Sequence, residues 1–163
     1  MKHCIKNKPY IMIASLLQER DWSLAVAESC TGGLLGDRIT NVPGASNYFE
    51  GGIVAYSYEA KVQLLDVKWP TLEKYGAVSK EVALEMVRGV RQAFSTDVSI
   101  SITGIAGPSG GTPEKPVGLT WIGLSTPDHE DVRKFVWDGK RLQNKEYSIQ
   151  AALHILINFL TKT

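Results

Sequence analysis

Apolar and polar positions along the chain switch between two periods, and each switch marks a border between helix and strand. With Pro9 in its opening turn, Tyr10-Ile11-Met12-Ile13-Ala14-Ser15-Leu16-Leu17 predicts an amphipathic helix over about 9–20. The apolar run from Trp22 to Ala27 predicts a buried strand over about 22–28. Leu34, Leu35 and Ile39 then share one face of a helix over about 31–41. A second strand is expected from Tyr48 to Tyr56, centred on Ile53, Val54 and Ala55. Ser57 is placed to cap a short helix through Lys61 to Leu65, Thr71 to start a turn before Gly76, and Ser79 to cap a longer helix. There Val82, Met86 and Val90 recur four apart, flanked by Ala83, Val87 and Phe94, which makes a core-facing stripe. Period two returns at Asp97 to Thr103, where Val98, Ile100 and Ile102 alternate with Ser99, Ser101 and Thr103. A glycine- and proline-rich loop runs from Gly104 to Pro116, followed by strands at Val117 to Ser125 and Val132 to Trp137 around a turn at Pro127-Asp128-His129-Glu130. The last helix, about 140–161, lines up Ile149, Leu153, Leu156 and Leu160.

Helices placed between strands imply an α/β fold, a sheet covered on both faces with an antiparallel hairpin at one edge. The 163 residues make one domain, 1–163, without repeats or linkers. A chain of that size buries close to 70% of its unfolded surface without disulfides or metals, as a rough scaling. A net charge of +1 offers no broad attraction for nucleic acid or anionic membrane, so neither is expected as a partner. An anionic ligand must therefore be met by local groups. Two cysteines, Cys4 and Cys30, form no zinc or disulfide pattern, which favours a reduced, cytoplasmic compartment. The apolar segment after the N-terminal lysines runs straight into Gln18-Glu19-Arg20-Asp21 with no small-residue cleavage site, so a helix is expected there rather than a signal peptide. No apolar run approaches the roughly 20 residues that span a bilayer.

Against this background the turn Ala27-Glu28-Ser29-Cys30-Thr31-Gly32-Gly33 stands out. A strand that feeds a helix through small residues leaves the first helical N–H groups unpaired. Those groups and the helix dipole favour negative charge, either a bound anion or an oxygen that becomes anionic during reaction. Ser29 and Cys30 are two adjacent nucleophile candidates, Cys30 beside a helix N-terminus or turned into the core. The same residues also fit a plain N-cap and a tight glycine turn. Histidine supplies little: His3 lies at the chain start, His129 in a hairpin turn and His154 beside the core stripe of the last helix, so a Ser-His-Asp triad is unattractive. Lysine is the next base. Tyr56 and Lys61 flank the turn from the second strand into its helix, where both can reach the space above the sheet edge. A serine–lysine pair works only if burial or a neighbouring positive end lowers the amine from about 10.4 to roughly 7–8. A solvated helix lysine paired with Glu59 or Glu28 fits the same pattern. The loop Thr103-Gly104-Ile105-Ala106-Gly107-Pro108 brings backbone close to a ligand and can donate N–H groups, although as a flexible connection it needs no function. It is no phosphate-binding P-loop, because Lys115 lies between Glu114 and Pro116.

Taken in order, Ala27 to Gly33, Gly52 to Lys61, Tyr75-Gly76-Ala77-Val78-Ser79 and Thr103 to Gly118 make the chain resemble the CinA C-terminal domain family, over about 10–160 and in its stand-alone form. The resemblance implies a three-layer α/β/α sandwich with a mixed central sheet, and proteins that are commonly homodimers. It implies hydrolysis of nicotinamide mononucleotide to nicotinate mononucleotide and ammonia, with no metal and no cofactor. By the family's motifs the catalytic serine is Ser29, and the tyrosine and lysine of its Y-S-x-E-A-K segment are Tyr56 and Lys61, with Tyr58 in the variable position. Oxyanion and substrate contacts are expected from Cys30, Thr31, Gly32 and Gly33 and from Thr103, Gly104, Ala106 and Gly107. Arg38 or Lys115 is expected at the phosphate. A non-catalytic nucleotide-binding module and a serine amidase for another small carboxamide remain the alternatives.

Overall fold

A computed structural model describes residues 8–162, so the expectations for His3 and Cys4 fall outside the described residues. Helix α1 (Pro9–Arg20) precedes strand β1 (Leu24–Glu28), helix α2 (Leu34–Thr40) and strand β2 (Phe49–Val54). Three helices follow, α3 (Tyr58–Leu65), α4 (Trp69–Tyr75) and α5 (Lys80–Phe94). Strands β3 (Val98–Gly104), β4 (Leu119–Ser125) and β5 (Glu130–Val136) then lead to helix α6 (Arg141–Leu160). The sheet order is β2-β1-β3-β4-β5. β2, β1 and β3 are parallel, and β4 and β5 run antiparallel as the edge hairpin. The sheet is mixed, as the α/β reading requires.

Two cores explain the layers. Leu24 and Val26 of β1, with Val98, Ile100 and Ile102 of β3, pack against α1, α2 and α6 through Ile13, Leu17, Leu35, Leu153 and Leu156. On the opposite face Ala25 and Ala27 meet Leu65, Val67 and Leu72 together with Val82, Met86 and Val90 of α5. The alternation in β3 therefore has no wet side. Its serines are buried, and Ser99 and Ser101 Oγ donate to the Val87 and Ala83 carbonyls of α5 at 2.8 and 2.7 Å. Short hydroxyl side chains bring the helix close while satisfying themselves. Gly89 takes α5 equally close to α3, for a Cβ there would stand 1.9 Å from the Leu65 carbonyl oxygen.

Capping follows the sequence where a serine leads. Ser57 Oγ accepts from Ala60 N at 3.0 Å and Ser79 Oγ from Val82 N at 3.3 Å. Pro9 sits in the opening turn of α1. The turn predicted at Thr71 is a full helix, α4, and α2 is shorter than predicted, since residues 29–33 form a turn that delays its start. This topology gathers the C-terminal ends of three parallel strands: Ser29 after β1, Ala55 and Tyr56 after β2, and Gly104 closing β3. Open α/β sheets bind ligands at such ends.

Candidate active site

Ser29 continues the β1 ladder through its N–H to the Ile102 carbonyl at 3.0 Å, which fixes the backbone just where the strand ends. Lys61 reaches the same point from the first turns of α3. Its Nζ donates to Ser29 Oγ at 3.0 Å and to the Ala55 carbonyl at 2.7 Å. Lys61 is 1% exposed and Ser29 8%. The lysine is thus no solvated helix residue, and neither Glu59 nor Glu28 is its partner. Burial disfavours the ammonium and lowers Lys61 from 10.5 to about 8, against a smaller opposing influence of Cys30. A buried amine beside a hydroxyl is the arrangement that activates a nucleophile.

Glu28 accounts for the start of α2. Its carboxylate accepts from the N–H groups of Gly33 and Leu35, both at 3.1 Å, and of Gly36 at 2.9 Å. The anion expected at this helix N-terminus is the chain's own side chain. Gly33 N–H is consequently committed, Gly32 N–H donates to the Ser29 carbonyl at 3.1 Å, and Thr31 is fully buried. Thr31, Gly32 and Gly33 build the turn and stand outside the set of residues that line the cleft. Cys30 does line it, yet its side chain is 6% exposed within the core cluster, and burial pushes the thiol up to about 11. A thiol kept protonated is a poor nucleophile.

The cleft over Ser29 and Lys61 has a volume of about 260 Å³ and is walled by Thr103, Gly104, Ala106 and Gly107 as well as Tyr56. Thr103 Oγ1 donates to the Ala77 carbonyl at 2.8 Å, so it braces the wall from within. Gly104 is required by close packing, because a Cβ there would meet the Leu119 carbonyl oxygen at 2.8 Å and Cys30 Sγ at 3.1 Å. Gly107 takes φ +85°, a conformation open to glycine. Tyr56 is 61% exposed at the rim, and its hydroxyl accepts from Arg141 at 3.0 Å rather than contacting Lys61. Tyr58 points elsewhere, its hydroxyl accepting from Ala77 N at 3.3 Å.

Arg141 is the residue that sequence reasoning missed. It lines the cleft from the start of α6 and also donates to the Gly107 carbonyl at 2.7 Å. The residues expected at a phosphate lie elsewhere. Arg38 pairs with Asp37 at 3.2 Å and Glu146 at 3.1 Å, while Lys115 donates to the Tyr75 carbonyl. A signal for Arg141 existed: Lys140, Arg141 and Lys145 crowd the start of a helix whose first turn holds no acid, against the dipole's preference. Among the described residues no group of three His, Cys, Asp or Glu side chains is placed to hold a metal ion, and no helix is long and apolar enough to cross a membrane.

Fold and site together define an α/β/α domain with a buried serine–lysine pair at the carboxyl ends of its parallel strands. The chain belongs to the CinA family: the model of the CinA C-terminal domain matches residues 7–160. A protein of Moorella thermoacetica is 54% identical over 142 residues, covering 87% of this chain and 34% of its own length. The CinA-like protein of Chlorobaculum tepidum is 51% identical over 151 residues, covering 90% of this chain and 36% of its own. The chain thus spans about a third of these relatives. A crystal structure of a CinA superfamily protein from Klebsiella pneumoniae superposes with a TM-score of 0.91 at 28% identity, covering 96% of this chain and all of that one.

Proposed function

We propose that this domain is an amidase that hydrolyses nicotinamide mononucleotide to nicotinate mononucleotide and ammonia through an acyl-serine. The observation that carries the reading is the 3.0 Å contact between Lys61 Nζ and Ser29 Oγ with the amine lowered to about 8. In its neutral form Lys61 accepts the Ser29 proton, and Oγ adds to the carboxamide carbon. The oxyanion so formed needs donors. Ala106 and Gly107 offer backbone N–H groups with no hydrogen-bond acceptor among the described residues, and one such donor is typically worth about 3–4 kcal/mol. The tetrahedral adduct collapses, Lys61 returns the proton to the departing ammonia, and water then cleaves the acyl-serine by the same proton path. Arg141 is the cation the cleft offers to a phosphate, and Tyr56, held by Arg141, forms a wall for the pyridine ring rather than a proton relay.

Ammonia release from nicotinamide mononucleotide, nicotinamide riboside and free nicotinamide tests this directly. The mononucleotide should be turned over best, Ser29→Ala should reduce kcat by at least about 1000-fold with the fold intact, and Cys30→Ala should keep a rate within about threefold of the parent. Binding without ammonia from any of the three would make the domain a nucleotide-recognition module. Full activity of Ser29→Ala would remove the serine from the chemistry.

A further inference from the structure

One buried side chain of α6 touches neither Ser29 nor Lys61, yet it holds the wall facing them. Asn144 is 1% exposed, and its Nδ2 donates to the Ala106 carbonyl at 3.1 Å. A carbonyl oxygen only accepts, so the amide orientation of Asn144 is determined by that contact. The Ala106–Gly107 peptide is trans, the cis bond in this loop being the next one, Gly107–Pro108. In a trans peptide the N–H points opposite to the C=O. Pinning the Ala106 oxygen toward α6 therefore turns the Gly107 N–H away from α6. Gly107 is buried and lines the cleft, and its N–H has no acceptor among the described residues. An unpaired N–H in a buried residue is rare in a folded protein, and here it leaves a donor available to a molecule in the cleft.

Resting on the amidase reading above, we infer that Asn144 is a positioning residue that orients the Gly107 N–H as an oxyanion donor. The device has support around it. Arg141, three residues earlier on the same helix, holds the next carbonyl, Gly107 O, at 2.7 Å. Gly139 leaves room for the amide, since a Cβ there would stand 2.9 Å from Asn144 Oδ1. Positive φ at Gly107 makes the preceding peptide free to flip once the pin is removed. A flipped peptide would present a carbonyl oxygen to the developing negative charge.

Asn144→Asp replaces the donor by an acceptor at nearly equal volume, and Asn144→Ala removes it. Both variants should lose kcat by about 10- to 100-fold while KM stays within about threefold, because the donor acts on the tetrahedral species and not on bound substrate. Unchanged kcat in a folded variant, or a rise in KM that accounts for the loss, would overturn the inference. A second measurement uses the parent protein and does not depend on a variant folding. Pyridine-3-boronic acid added to Ser29 forms a B–O bond and a tetrahedral anionic boronate, the serine proton passing to Lys61. The Gly107 amide proton should then move downfield, and an unshifted Gly107 signal on adduct formation would sink the proposal. Absence of ammonia release from nicotinamide mononucleotide by the parent would instead count against the substrate reading, since the boronate reports on the peptide itself.

Discussion

In the proposed mechanism Lys61 concentrates the chemistry of the domain into one proton. At neutral pH its amine is mostly charged, and reaction draws on the neutral fraction. The logarithm of kcat/KM should therefore rise with pH at unit slope, bend near the value of about 8 and level off above it. A profile flat from pH 6 to 9 would contradict a lysine base. Stability follows the same group. The folded state binds the proton less tightly than the unfolded chain, whose lysine titrates near 10.5, so the protein gains stability as pH rises from about 8 to 10.5. Lys61→Met fills the space without the charge. At about 1.4 kcal/mol per pH unit the displaced titration sets a ceiling of roughly 3 kcal/mol, and the lost bond to Ala55 takes back about 1. The inactive Lys61→Met protein should be about 1–2 kcal/mol more stable than the parent at pH 7. That advantage should shrink toward pH 10, as read from urea denaturation at each pH.

At the scale of elements, the turn carrying Ser29 depends on the carboxylate before it. Glu28 satisfies three N–H groups at the start of α2, and no other side chain caps that helix. Glu28→Ala should destabilise the domain by about 3 kcal/mol, with Glu28→Gln losing less because one acceptor oxygen remains. Equal stability of Glu28→Ala and the parent in chemical denaturation would remove this role. Element ends show where sequence reading is strongest. Ser57 and Ser79 announce α3 and α5 because a hydroxyl before an amphipathic stripe is a local device. The ends of α1, α3 and α5 rest on Asp21, Asp66 and Ser95 in the left-handed conformation, where no glycine marks the stop. Thr31 to Gly33 look helical by spacing, but a carboxylate reaching forward from β1 holds them as a turn, which periodicity does not register.

For the whole molecule, the Ser29–Lys61 pair forms only if α3 sits correctly over β1, and α5 sets that position. Gly89→Ala should gain about 1 kcal/mol in helix propensity. The Cβ placed 1.9 Å from the Leu65 carbonyl oxygen must push the two helices apart, which costs more, about 3 kcal/mol. A lowered melting temperature and a fall in kcat with it are the expected results, since Lys61 rides on the displaced helix. A more stable Gly89→Ala protein would show that α3 and α5 adjust freely.

The amino-acid order by itself determined the alternation of helices and strands, the apolar faces and the candidate serine and lysine, because periodicity and capping need only neighbours within a few residues. Tertiary structure alone decided what those residues do. Ser29 and Lys61 meet across 32 positions, Arg141 and Tyr56 across 85, and Asn144 and Ala106 across 38. Only packing could bury an amine deeply enough to loosen its proton, spend the helix N-terminus on Glu28 and aim a loop carbonyl at α6. The physical reason is one of range: hydrogen-bonded periodicity is a property of a segment, whereas desolvation and orientation belong to whatever the folded chain lays over it.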